Sequence, residues 1–171
     1  MKKPSPASRL IGLLISLAVI SYAQQQSPFP PLENFARWSS SDMKAFVARL
    51  GAKVSAGPVS ERLGDSGSLR AFVERRAAGE YEPEAHTEID DLLIVQQGEA
   101  TLLYGGTIEG GKETRAGQIG GGKIVGGTSL TISAGDMIYL PAGMPHHISV
   151  APGNNLYLLV LKTASSKTKT K

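Results

Sequence analysis

The chain has no cysteine. Disulfides, thiolate catalysis, cysteine-ligated metals and a bacterial lipid anchor on cysteine are therefore excluded. Histidine is scarce: His86, His146 and His147 are the three in the chain. Two of them are adjacent, and a strand sends neighbours to opposite faces, so a site built from all three imidazoles is disfavoured. Aromatic residues make up 6% of the chain, with one tryptophan. That residue, Trp38, reads as a packing group beside a helix rather than a ligand-stacking platform. Long hydrophobic runs are also missing. The apolar run Leu10 to Ile20 is too short to span a bilayer, which takes about 20 residues. It follows Lys2, Lys3 and Arg9 and precedes Ser21-Tyr22-Ala23. This pattern predicts a secretory signal peptide cleaved after Ala23, hence a secreted or periplasmic protein with no membrane span after cleavage.

An excess of positive charge is absent where it would matter. The formal net charge is +3, but seven basic residues sit in the first nine and last ten positions. Between residues 24 and 161 there are eleven basic residues against fifteen acidic ones. A mildly acidic core argues against a nucleic-acid surface. The last ten residues, KTASSKTKTK, lack bulky apolar side chains and predict a disordered basic tail over 162–171.

What is there suffices for one domain: 171 residues can bury a real core. Residues 24–67 read as an N-terminal extension with a short helix. Ser40 or Ser41 is the expected N-cap, with Asp42 in the first turn. Met43, Phe46, Val47 and Leu50 form one apolar face that would pack on a later sheet, and Gly51 stands where a helix-ending glycine would. Gly51 to Gly67 reads as loop. From Ser68 the pattern becomes short strands: Leu69–Arg75, Glu84–Glu88, Leu92–Gln96, Ala100–Tyr104, Ser129–Ile132, Met137–Leu140, His146–Val150 and Leu156–Leu161. Many short strands with glycine-rich turns predict an all-β barrel or sandwich over 68–161.

Gly105 to Gly127 holds ten glycines and reads as a long flexible excursion. Gly117 with Gly122-Lys123 has the outline of a phosphate-binding loop. Ile124 stands where a Ser or Thr must bind magnesium, and Gly126-Gly127 forbids the helix that should follow, so nucleotide binding is rejected.

Two stretches carry the chemistry. In GDMIYLPAGMPHH, from Gly135 to His147, an apolar strand meets a turn at Pro141-Ala142-Gly143, and a rigid turn before a histidine fixes where its imidazole points. Upstream, six acids lie between Glu80 and Asp91 around His86. Such crowding is repulsive unless solvated, salt-bridged to Arg70, Arg75 or Arg76, or neutralised by a bound cation. Strand parity would put Glu84, His86 and Glu88 on one face. Glu80, Glu82 and Asp90 read as surface, and Asp136 as a turn former.

The spacing Gly135, Pro141, Gly143, His146 resembles the second conserved motif of the cupin superfamily, with Val150 where that family often has asparagine. The first motif, two histidines, an acid and a glycine, is matched by Glu84, His86, Asp91 and Gly98. Glutamate replaces one histidine there, aspartate replaces the usual glutamate, and the leading Gly79 is one residue closer. The resemblance implies a cupin-like jelly-roll β-barrel with its site inside, a small-molecule ligand or substrate, and a homodimer. It also singles out His146 over His147. Two histidines with one or two carboxylates, His86, His146, Asp91 and Glu84, suit one divalent metal: Fe, Mn, Zn or Ni. Glu84 is either the fourth ligand or a general base beside the metal. Two functions follow: an exported metal-dependent enzyme of oxygenase, isomerase or lyase type, or a non-catalytic module that binds metal or a small ligand.

Overall fold

The computed structural model describes residues 30–55 and 57–166. The predicted signal peptide at 1–23 and the tail residues 167–171 lie outside the described residues. Among the described residues no helix is long and apolar enough to cross a membrane.

The one α-helix among the described residues, α1, spans Ser40–Gly51. Its cap is Ser39, a residue earlier than expected. Ser39 Oγ accepts from the Asp42 amide at 3.2 Å, and the Ser39 amide donates to Asp42 Oδ2 at 2.7 Å. This reciprocal pair satisfies two amides that the first helical turn leaves free. Gly51 does not terminate the helix in a left-handed turn. It is the last helical residue, and Ala52 caps in the right-handed region. A Cβ there would sit 2.9 Å from the Tyr157 hydroxyl, so a larger residue would push that ring tip aside.

Twelve strands follow: β1 (Val59–Asp65), β2 (Leu69–Glu80), β3 (Glu84–His86), β4 (Ile89–Gln97), β5 (Glu99–Tyr104), β6 (Thr107–Glu109), β7 (Lys112–Arg115), β8 (Gln118–Gly120), β9 (Lys123–Val125), β10 (Thr128–Ser133), β11 (Met137–Leu140) and β12 (His146–Ala164). All named pairs are antiparallel. β12 joins two layers. Its second half lies between β2 and β4, with β1 and β11 beyond them. Its first half lies between β5 and β3, with β10 beyond one and β8 and β7 beyond the other. It changes layer where the register shifts between Val150 and Asn155.

The alternation of each strand decides what it faces. Leu93 and Val95 of β4, Leu102 of β5, and Leu156, Leu158 and Val160 of β12 fill the barrel. β2 is covered on both sides. Phe72 packs inward, while Ala71 and Val73 face α1 with Leu50, Met43, Phe46, Val47 and Tyr157. A strand buried on both faces reads as a nearly continuous apolar run, as Leu156 to Leu161 does.

Three boundaries move. The stretch read as loop contains β1, so the barrel begins before residue 68. The glycine-rich excursion is an ordered arm: β6 pairs β9 at its base, β7 pairs β8 at its tip, and β8 adds to β3. β12 runs on to Ala164, so Lys162 is a strand residue and not part of a tail.

Candidate metal centre

The turn before His146 is built from both predicted motifs. The Met144 amide donates to the Pro141 carbonyl at 3.0 Å, closing the turn. The Gly143 amide donates to the His86 carbonyl at 2.7 Å, and the Ala142 amide donates to Asp90 Oδ1 at 2.7 Å. Asp90, read as surface, therefore pins the turn that aims His146. Parity then separates the two histidines. His146 is buried, whereas His147 meets Glu80 on the other face at 3.2 Å.

His146 Nδ1 lies 3.1 Å from the Met144 carbonyl. A carbonyl only accepts, so Nδ1 donates to it, and Nε2 faces Glu84 Oε1 at 3.4 Å, where it can donate to the carboxylate or, once deprotonated, bind a metal. His86 Nε2 lies 3.9 Å from Glu84 Oε2 and 2.8 Å from Lys162 Nζ. An ammonium only donates, so in its contact with Lys162 this nitrogen accepts whenever the imidazole is unprotonated there, the form that could also bind a metal. Glu84, His86 and His146 each offer an atom within 4.8 Å of the others and could together hold a metal ion. Ligand atoms about 2.1 Å from one ion lie at most about 4.2 Å apart, and the 3.4 and 3.9 Å separations fit. The donor set therefore suits a divalent transition metal, with the Met144 carbonyl orienting one ligand as outer partners commonly do.

Asp91 is placed differently. It is buried 3.2 Å from His86 Nε2 and 4.0 Å from His146 Nε2. Both its oxygens are held by Lys162 Nζ, at 2.9 and 2.8 Å. Glu88 does not join the site, because β3 ends at His86 and Glu88 is exposed beyond it. The acid crowding is answered in part by protein cations. Arg76 donates to Glu74 at 2.6 Å and lies 3.9 Å from Glu84. From the arm, Gln118 donates to Glu84 Oε2 at 2.8 Å. The two histidines, Glu74, Glu84, Asp91, Arg76 and Lys162, with Arg115 and apolar Phe72, Leu93, Ile148, Leu158 and Val160, line a cavity of about 250 Å³.

Burial alone would raise the Glu84 pKa. The hydrogen bond with His146, then the charges of His146, His86 and Lys162, outweigh it and bring Glu84 down to about 2. Asp91 is also held below the usual carboxylate range, with burial opposed by His86 and Lys162. A depressed carboxylate stabilises the fold above its unfolded pKa and loses that contribution as pH falls through its folded value. Metal-free protein is therefore expected to lose stability between about pH 4.5 and about pH 2 partly through Glu84. Glu84→Gln should flatten that part of the melting profile. Identical acid profiles for the two proteins would contradict it.

No family model matches the chain, and no curated protein matches it. Solved structures do resemble it. An uncharacterised conserved protein with a double-stranded β-helix domain from Klebsiella pneumoniae is 14% identical with a TM-score of 0.52, over 79% of this chain and 92% of that one. The TT1209 protein of Thermus thermophilus is 16% identical with a TM-score of 0.51, over 70% of this chain and 94% of that one. With mostly strands, one helix and a β12 that closes two layers on each other, the chain has the all-β, cupin-like double-stranded β-helix fold.

Proposed function

We propose that this barrel binds a small molecule beside one divalent transition metal held by Glu84, His86 and His146, and that it is an exported enzyme of oxygenase, isomerase or lyase type. The observation that carries the proposal is the convergence of two imidazole nitrogens and a carboxylate on one cavity. When bound, such an ion would polarise a ligand oxygen as a Lewis acid. The chain's own groups do the rest. His146 is fixed by the Met144 carbonyl, and Glu84 by Gln118. Lys162 leaves His86 Nε2 for that nitrogen to act as a ligand, and it keeps Asp91 out of the set while both carboxylate oxygens stay bonded to it. Where Glu84 is not a ligand, its carboxylate is a base that borders both imidazoles.

A second reading is a binding module without turnover. It is favoured by the Lys162 ammonium, which already neutralises Asp91 and occupies His86. Elemental analysis of purified full-length protein, before and after loading with Fe(II), Mn(II), Zn(II) and Ni(II), separates the two. It should be followed by a screen of lactones, keto acids and catechols with O₂ monitored. About one ion per chain with metal-dependent product formation is the expected result. Saturable ligand binding with neither metal nor turnover would leave the module.

A further inference from the structure

Three cations and three carboxylates line the cavity: Arg76, Arg115 and Lys162 against Glu74, Glu84 and Asp91. Two of the cations are committed. Arg76 donates to Glu74 and lies 5.0 Å over the Tyr81 ring. Lys162 holds Asp91 and His86. Arg115 differs. It stands exposed on the arm, and its Nε donates to Gln118 Oε1 at 2.6 Å. It forms no ion pair among the described residues, and its two terminal amines have no partner there. The amide of Gln118 that holds it also donates to Glu84. The guanidinium is thus tied to the proposed metal ligand through a single side chain.

Charge and shape then select a ligand. With neutral imidazoles the lining is balanced, so a divalent ion leaves it doubly positive. Apolar walls at Phe72, Leu93, Ile148, Leu158 and Val160 strengthen that field. A volume of about 250 Å³ falls below the roughly 300–1,000 Å³ of drug-sized pockets. Phosphate sites commonly draw on backbone amides at helix N-termini or glycine nests, and no glycine is among the residues lining this cavity. A planar fork with free N–H groups matches a carboxylate.

We infer that Arg115 forms a carboxylate subsite at this cavity, so that the ligand is a small carboxylic acid whose anionic group is gripped by the arm. This rests on the metal reading for the excess charge, and on Arg115 itself for the grip.

The test titrates Zn(II)-treated full-length protein calorimetrically with acetate, pyruvate, oxalate and malonate, with pyruvamide as a neutral counterpart and inorganic phosphate as a rival anion. Zinc content is read on the same samples. At least one carboxylate should bind. Pyruvate should bind about tenfold or more tightly than pyruvamide, and Arg115→Ala should weaken the carboxylates by a similar factor. Zinc content and melting temperature of that variant should match wild type. Arg115→Lys should recover part of the loss, since it restores charge without the fork. Absence of binding by all four carboxylates overturns the inference. So does equal binding of pyruvate and pyruvamide, unchanged affinity in Arg115→Ala, or phosphate binding in preference to every carboxylate. Protein that holds no zinc yet binds a carboxylate through Arg115 rejects the metal reading and keeps the subsite.

Discussion

Replacing His146 by alanine is expected to strip the protein of most of its metal, while the same change at His147 leaves the metal in place. The two residues are neighbours with the same side chain, so composition cannot separate them. Geometry does. His146 points inward with its Nε2 3.4 Å from Glu84, and His147 points outward to Glu80. Removing one of three ligands opens the ion to water and leaves Glu84 without its nearest imidazole. A loss of about two orders of magnitude in affinity is a conservative expectation, since removing an outer-sphere partner alone costs about 10–100-fold. The measurement is metal content per chain after dialysis without chelator, for wild type and both variants loaded identically. Equal loss in the two variants would break the assignment of faces, and retention in His146→Ala would move the ion elsewhere.

Gly98→Ala should cost the fold about 3 kcal/mol or more and lower the melting temperature by about 10 °C or more. Gly98 joins β4 to β5, where the chain passes from one layer to the other. Its φ is +90°, and a Cβ there would lie 1.9 Å from the Asn155 carbonyl oxygen. That oxygen belongs to β12 at its own crossing between layers, so neither backbone has room to yield. Gly153→Ala is the control. Its φ is +83°, but nothing lies within 4 Å of its Cβ position. It isolates the conformational term, about 1–2 kcal/mol. Thermal unfolding of both variants checks the contrast. Similar small shifts in the two would mean that the crossing is soft.

The barrel strands were legible because period-two alternation with apolar content marks a strand that is half or fully buried. β1 was not, since VSERLGD has two apolar side chains besides glycine, and the one named strand it pairs with is β2. The arm escaped notice for a related reason. Its strand KETR is exposed throughout, so no burial pattern was written into it. Within the site, motif spacing pointed to Glu84, His86, Asp91 and His146, and all four line one cavity. Lys162 was missed although a signal existed. It continues the inward series Leu156, Leu158, Val160 at the next even step, but the lysines, threonines and serines after it suggested a tail. Asp90 had no signal at all, because its hold on the Ala142 amide spans 52 residues.

The layer-joining course of β12 has a consequence in time. It pairs with β2, β3, β4 and β5, all of which precede it in the chain. Until it docks, those strands keep open edges and their apolar faces stay wet, the condition in which a nascent chain sticks to its neighbours. Pairings this distant in sequence also close slowly. His146 and Lys162 both ride on that strand, so the two imidazoles cannot face each other before the barrel shuts. A metal arriving earlier would find His86 and scattered acids rather than a site. Closure of the fold and assembly of its cavity are one event, and on the proposed metal reading an ion would bind only after it.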